Sequence, residues 1–184
     1  KYFKEMEDEP EYDRALFSFK NEYHLAYVSQ RKLGQIGVVN DVSDFLETKD
    51  LGPDALDPGL DCRAFEEAVQ NRRAMAKRVL MDQGTVAGVG NVYSDEILFQ
   101  AGIHPRTRMD ELSGEELKQL FQHMRDVLET AIAAQADPER FPDSYLVPHR
   151  YEGGTCPACG ASLKTVKVSS RTSYFCPECQ AGPR

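Results

Sequence analysis

The clearest chemistry in the sequence belongs to four cysteines. Cys156-Pro-Ala-Cys159-Gly and Cys176-Pro-Glu-Cys179 are two Cys-x-x-Cys pairs separated by sixteen residues. Four thiolates on two tight turns can meet one tetrahedral Zn²⁺ at about 2.3 Å per sulfur. With four thiolate ligands no coordination position stays open, so the metal is structural rather than catalytic. Between the pairs, Leu163–Val168 and Thr172–Phe175 alternate as the strands of a hairpin would, which makes the segment a zinc ribbon. Disulfides or a redox dithiol are the competing readings, and both fit poorly with paired knuckles in a chain that shows no secretion signal. Cys62 has no such companion and reads as a small buried hydrophobe.

The second candidate is Gly84-Thr-Val-Ala-Gly88-Val-Gly90-Asn91, which joins two helical segments. It is a poor nucleotide loop, because it follows a helix and lacks Gly-Lys-Ser/Thr. Glycines do allow close backbone approach, and a helix start offers free N–H groups and a positive dipole end to a phosphate. Asn91 can add its side-chain amide there; a plain helix-capping asparagine is the alternative. Taken as a total, the charge opposes a polyanionic partner, since 22 basic residues face 30 acidic ones for a net −8. That objection assumes an even spread. Residues 150–184 alone hold five basic and two acidic side chains, so positive charge collects beside the cysteines.

These residues must be held by an α+β chain. Lys1 to Lys4 read as a strand end running into an acidic loop, and Ala15 to Val28 as two strands around a turn at Lys20-Asn21-Glu22. Ile36-Val38-Val39 suggest a third strand, and the Asp- and Pro-rich run from Val42 to Gly59 a linker. Beyond it the apolar period becomes helical over Arg63–Asp82 and again over Asn91–Ala101, where Gly102 ends the helix. Ser113 and Glu116 form a capping box, with Leu112 and Leu117 as its hydrophobic staple, ahead of a long amphipathic helix. The division expected is 1–59, strands and a linker; 60–149, a helical domain; and 150–184, the ribbon. No window has the length and apolarity of a membrane span, so a cytoplasmic protein is expected.

Taken together, Leu80-Met-Asp-Gln-Gly84, Val86-Ala-Gly-Val-Gly-Asn91-Val-Tyr93-Ser-Asp-Glu96-Ile-Leu98 and Ala101-Gly-Ile-His-Pro105 closely resemble the helix/two-turn/helix signature of the formamidopyrimidine-DNA glycosylase and endonuclease VIII family. Arg171-Thr-Ser-Tyr-Phe-Cys176 resembles that family's finger motif, and Gln30-Arg31-Lys32-Leu33-Gly34 its basic loop. The resemblance implies base-excision repair: a DNA glycosylase/AP lyase that removes oxidised bases through a Schiff base, binds damaged double-stranded DNA and works as a monomer. It implies that Asn91 and Arg171 bind phosphates flanking the lesion, and that Lys77 lies near the same backbone, unless it occupies a solvated helix face. Arg31 would face the base opposite the lesion. Leu33 would be an apolar wedge, with an ordinary strand-end core residue as the other reading.

The family's nucleophilic N-terminal proline, its neighbouring glutamate and its hairpin lysine have no counterpart in these residues, and no catalytic residue is assigned. The expectation is a piece of a longer enzyme, inactive alone, with roughly the first third of such a protein missing. A non-catalytic nucleic-acid- or protein-binding paralogue is the alternative. The glycine-rich lesion-capping loop of many relatives is also not evident between Ala136 and Gly154.

Overall fold

The computed structural model describes residues 1–32, 34 and 36–182. Strands and helices segregate along the chain, as in an α+β protein. Two units pack separately, Lys1–Phe45 and Leu46–Arg184.

The first unit is a three-stranded antiparallel sheet of β1 (Tyr2–Phe3), β2 (Asp13–Ser18) and β3 (His24–Val28), in the order β1-β3-β2. The turn follows the sequence expectation: Phe19 N–H donates to the Tyr23 carbonyl at 2.9 Å, and Glu22 takes the left-handed backbone at φ 66°. Phe3 and Ala26 are buried, while Tyr2 stacks on Tyr23 at 4.9 Å on the exposed face. The strand expected at Ile36–Val39 does not form. Val38 is 99% exposed, and without a neighbour to complete its ladder a short apolar run has no reason to stay extended.

Helix α1 (Val42–Glu47) is capped by Asp41, whose carboxylate accepts from the amides of Ser43 at 2.7 Å and Asp44 at 3.2 Å. The expected linker is therefore partly helical, and its remainder is packed. Gly52 N–H donates to Gln83 O and Ala55 N–H to Ala87 O, while Ala87 N–H donates to Pro53 O, so residues 51–55 strap the glycine-rich turn. Ala55 and Leu60 are core residues. Gly52 is required there, because a Cβ would meet the Thr85 carbonyl oxygen at 2.6 Å.

The single helix expected over Arg63–Asp82 is two helices, α2 (Cys62–Val69) and α3 (Ala76–Leu80). Long-range backbone pairing breaks it: Ala76 N–H donates to Thr107 O, and Met109 N–H to Ala74 O, at 2.8 and 2.9 Å. Helix α4 (Asn91–Gln100) is buried from Ser94 to Phe99 and ends as expected, with Gly102 at φ +67°. Gly102 N–H reaches Phe99 O and Ile103 N–H reaches Leu98 O, a Schellman arrangement. Helix α5 (Gly114–Ala133) opens on the predicted capping box and packs Leu117, Leu120, Phe121 and Met124 on the core around Phe65. Strands β4 (Lys164–Val168) and β5 (Arg171–Phe175) form the ribbon hairpin. Among the described residues no helix is long and apolar enough to cross a membrane.

The capping box is open to a direct check. Ser113→Ala removes the acceptor for the Glu116 amide and is expected to lower stability by about 1 kcal/mol in urea unfolding. An unchanged midpoint would show that the box does not support α5.

Candidate nucleic-acid interface and metal centre

The glycine-rich turn is shaped by two side chains that precede it. Asp82 accepts from the Gly84 amide at 3.3 Å and the Thr85 hydroxyl at 2.7 Å. Gln83 donates to Val89 O at 2.9 Å and accepts from the Gly88 amide at 3.0 Å. Gly88 sits at φ +99°, a conformation open to glycine at little cost. The chain thus reverses tightly and delivers Gly90 to the start of α4, which has no side-chain cap. With no cap side chain to occupy them, its first amides and dipole end suit an anion.

Asn91 is the first residue of α4 and is half-buried. Its Nδ2 donates to Thr172 O at 3.3 Å, which fixes the amide's orientation and leaves the second Nδ2 hydrogen for another acceptor. Asn91 Oδ1 is the one buried side-chain oxygen or nitrogen without a partner among the described residues. Such an atom costs free energy and commonly marks a functional position.

Arg171 opens β5 at the tip of the ribbon hairpin and is exposed. The two residues before it, Ser169 and Ser170, have φ 47° and 64°, which is the two-residue turn that usually calls for Asn-Gly. Two non-glycine residues in that region store roughly 1–2 kcal/mol each beside the guanidinium.

Asn91 and Arg171 line one cleft of about 840 Å³, together with Arg72, Arg73, Arg78 and Ser169. Four arginines face one carboxylate there, Asp82, which lies 3.6 Å from Arg72. An acidic protein thus carries a locally basic groove. The sequence reading missed the three additional arginines; the Arg72-Arg73 pair with Arg78 in the same stretch was their signal.

Lys77 lies beneath this cleft rather than on a solvated helix face, with no solvent exposure. Its ammonium bonds to Asp95 and, at 3.2 Å, to Asn91 O. Burial pulls its pKa below the ordinary lysine value, and the adjacent Asp95 carboxylate pulls the other way. Arg31 is exposed in a turn of the first unit, and Leu33 lies outside the described residues.

Two further acids on α4 are fully buried, which the sequence reading did not anticipate. Asp95 accepts from Lys77, from the Ser173 hydroxyl, from the Tyr174 amide at 3.0 Å and from Arg150 Nε at 2.9 Å. Glu96 accepts from the amides of Leu146 at 3.1 Å and Val147 at 2.7 Å and from Gln100 at 2.8 Å. Its pKa is raised, since burial disfavours the carboxylate more than these bonds favour it. A helix with acids at 95 and 96 between Tyr93 and Ile97-Leu98-Phe99 offers no polar face to solvent, and that was the available signal.

The metal centre has the geometry its spacing predicts. The sulfurs of Cys156, Cys159, Cys176 and Cys179 all lie within 4.8 Å of one another. The separations of 3.7 Å (Cys156 to Cys179) and 3.5 Å (Cys159 to Cys176) approach the edge of about 3.8 Å that a tetrahedron with 2.3 Å zinc–sulfur bonds requires. Burial, with three other sulfurs alongside, pushes the Cys179 thiol well above its ordinary pKa. A divalent cation reverses that penalty, so the four cysteines fit one structural zinc. Gln180, buried beside the second knuckle, donates to Ile103 O at 2.8 Å and accepts from the Cys176 amide at 2.9 Å, anchoring the ribbon to the segment after α4.

Comparison with known proteins converges on one family. Residues 51–142 match the model of the formamidopyrimidine-DNA glycosylase H2TH domain, and 153–182 that of a zinc finger found in FPG and IleRS. The formamidopyrimidine-DNA glycosylase of Thermomicrobium roseum is 35% identical over 177 residues, covering 90% of this chain and 61% of the relative. That of Listeria innocua is 30% identical over 189 residues, covering 96% and 69%. A Lactococcus lactis Fpg (MutM) solved with FAPY-dG-containing DNA superposes with a TM-score of 0.83 at 28% identity, over 99% of this chain and 71% of that one. The chain spans 48% to 69% of the length of these and other curated relatives of the same name.

Removing the metal tests the centre. The chain as purified is expected to hold one zinc, and chelation should free the β4 and β5 amides to rapid hydrogen exchange while α5 stays protected. Protected ribbon amides in the metal-free chain would show that zinc does not hold the ribbon.

Proposed function

We propose, since the chain belongs to the formamidopyrimidine-DNA glycosylase family, that it is the DNA-gripping portion of a base-excision repair glycosylase/AP lyase acting on oxidised bases. The observation that carries this reading is the shared cleft: Asn91 and Arg171, far apart in sequence, line one groove with three more arginines. A bent duplex presents successive phosphates to such a groove, where a helix start, a neutral amide and a guanidinium fork can each take an oxygen. None of these donors reads a base edge, so the grip positions the duplex and leaves lesion choice to other residues.

Lys77 acts on this grip from below, as a buried charge behind Asn91. Arg31 and Leu33 keep the roles their resemblance gives them, facing the base opposite the lesion and wedging the stack. The domain division at 59/60 and 149/150 follows the same logic, with the helical part and the ribbon forming the two jaws. Lesion-containing double-stranded DNA is the partner, a single copy of the chain suffices, and the protein works in the cytoplasm alongside the nucleoid. The family's nucleophile and acid have no match in these residues, so the excision chemistry is not assigned to them.

Salt dependence separates the two donors. Binding of the 184-residue chain to a duplex with an abasic site, followed by fluorescence anisotropy, should weaken steeply with salt. Arg171→Ala should weaken binding about tenfold or more and reduce the slope of log K against log salt by about 0.9, the loss of one neutralised phosphate. Asn91→Ala should weaken binding with the slope unchanged, because a neutral amide releases no counterion. Two variants that bind like the parent would overturn the reading. Borohydride trapping on the same duplex should give no covalent adduct with this chain; an adduct would place a nucleophilic amine within it.

A further inference from the structure

Asp95 has no contact with solvent, yet it gathers donors from three parts of the second unit: Lys77 on α3, Arg150 ahead of the ribbon, and Ser173 and Tyr174 on β5. The cluster holds two cations and one anion in a buried setting. Clusters of this kind add little net stability over well-packed apolar side chains, but their bonds are directional. Here the direction is specific. Thr172 O, the carbonyl next to Arg171, accepts from both Asn91 Nδ2 at 3.3 Å and Arg150 Nη2 at 3.2 Å. The Arg150 guanidinium also lies 4.9 Å over the Tyr174 ring. The backbone that presents Arg171 is thus fastened to the first residue of α4 directly, and to Asp95 through Arg150, Ser173 and Tyr174.

We propose that Asp95 is a positioning residue for the phosphate cleft, holding β5 in one register against α4 so that Asn91 and Arg171 act on DNA as a coupled pair. The proposal rests on the DNA-binding reading above. Asp95 itself reaches no phosphate, since Lys77, Arg150 and β5 enclose it. A shift of β5 along α4 would leave both donors present and exposed, yet spaced for no single stretch of backbone. Apolar packing at this position would resist separation but would not fix that register.

A double-mutant cycle tests it. In the parent, Asn91→Ala and Arg171→Ala together should weaken binding to the abasic-site duplex by less than the product of their separate losses, by about fivefold or more. The same cycle is then measured in two backgrounds, Ser173→Ala, which removes one tie from β5 to Asp95, and Arg150→Met, which removes the second donor to Thr172 O. Arg150→Met leaves Lys77 and Asp95 as a charge-balanced pair, so the chain is expected to fold; zinc content and thermal unfolding check this. Should Arg150→Met fail to fold, the Ser173→Ala cycle decides alone. In either background the losses should become multiplicative, and Ser173→Thr, which keeps the hydroxyl, should restore the coupling.

Coupling that persists in these backgrounds, or is absent from the parent, overturns the proposal. A lower salt slope in Arg150→Met with coupling intact also overturns it, by making Arg150 a phosphate contact. A parent chain that does not bind the duplex defeats the DNA-binding reading as well, whereas salt-dependent binding with unaltered coupling defeats this proposal alone.

Discussion

The buried carboxylate of Asp95 is the constraint on which the second unit turns. A carboxylate removed from water must be paired or neutralised, and one shared by two cations must also have its remaining lone pairs filled. In this chain the requirement is met only when α3, α4, the segment at Arg150 and strand β5 meet at one point. Helices packed by apolar contact alone can slide by a fraction of a turn at modest cost. With a lysine, an arginine, a serine hydroxyl and a backbone amide aimed at two oxygens, they cannot.

The rest of the site follows from where that point lies. The glycine-rich turn brings α4 to the edge of the cleft without a side-chain cap, so that Gly90 and the half-buried Asn91 line it. The zinc knuckles, anchored through Gln180 to Ile103, hold the base of the ribbon, while the Asp95 cluster holds its side. The hairpin tip then has one place to go, and Arg171 arrives at the groove that Arg72, Arg73 and Arg78 already line. A protein with a net charge of −8 keeps its acidic excess off this groove and so can present a basic face to a polyanion.

What could be read from the sequence was what depends on local spacing. The zinc ligands, the hairpin between them, the capping box at Ser113, the Gly102 helix end and the place of Asn91 are each set within a few residues, and each appears in the structure. What could not be read depends on distant partners. The helix over Arg63–Asp82 breaks because residues 74–76 pair with 107–109, and the expected linker at 51–55 is recruited as a strap over the turn. Ile36–Val39 had a strand's composition but no neighbour to pair with. Lys77 read as a backbone neighbour or a solvated helix face, and Asp95 and Arg150 carried no signal of their own. Only the fold makes them one cluster.

On the function proposed, a DNA backbone occupies the cleft between the start of α4 and the ribbon tip. A crystal structure of the chain with a duplex containing an abasic site tests it most directly. Phosphate oxygens are expected within hydrogen-bond distance of Asn91 Nδ2 and the Arg171 guanidinium, on the same stretch of backbone, with Asp95 still enclosed by Lys77, Arg150 and Ser173. DNA seated elsewhere on the chain, with Asn91 and Arg171 both facing solvent, would contradict it.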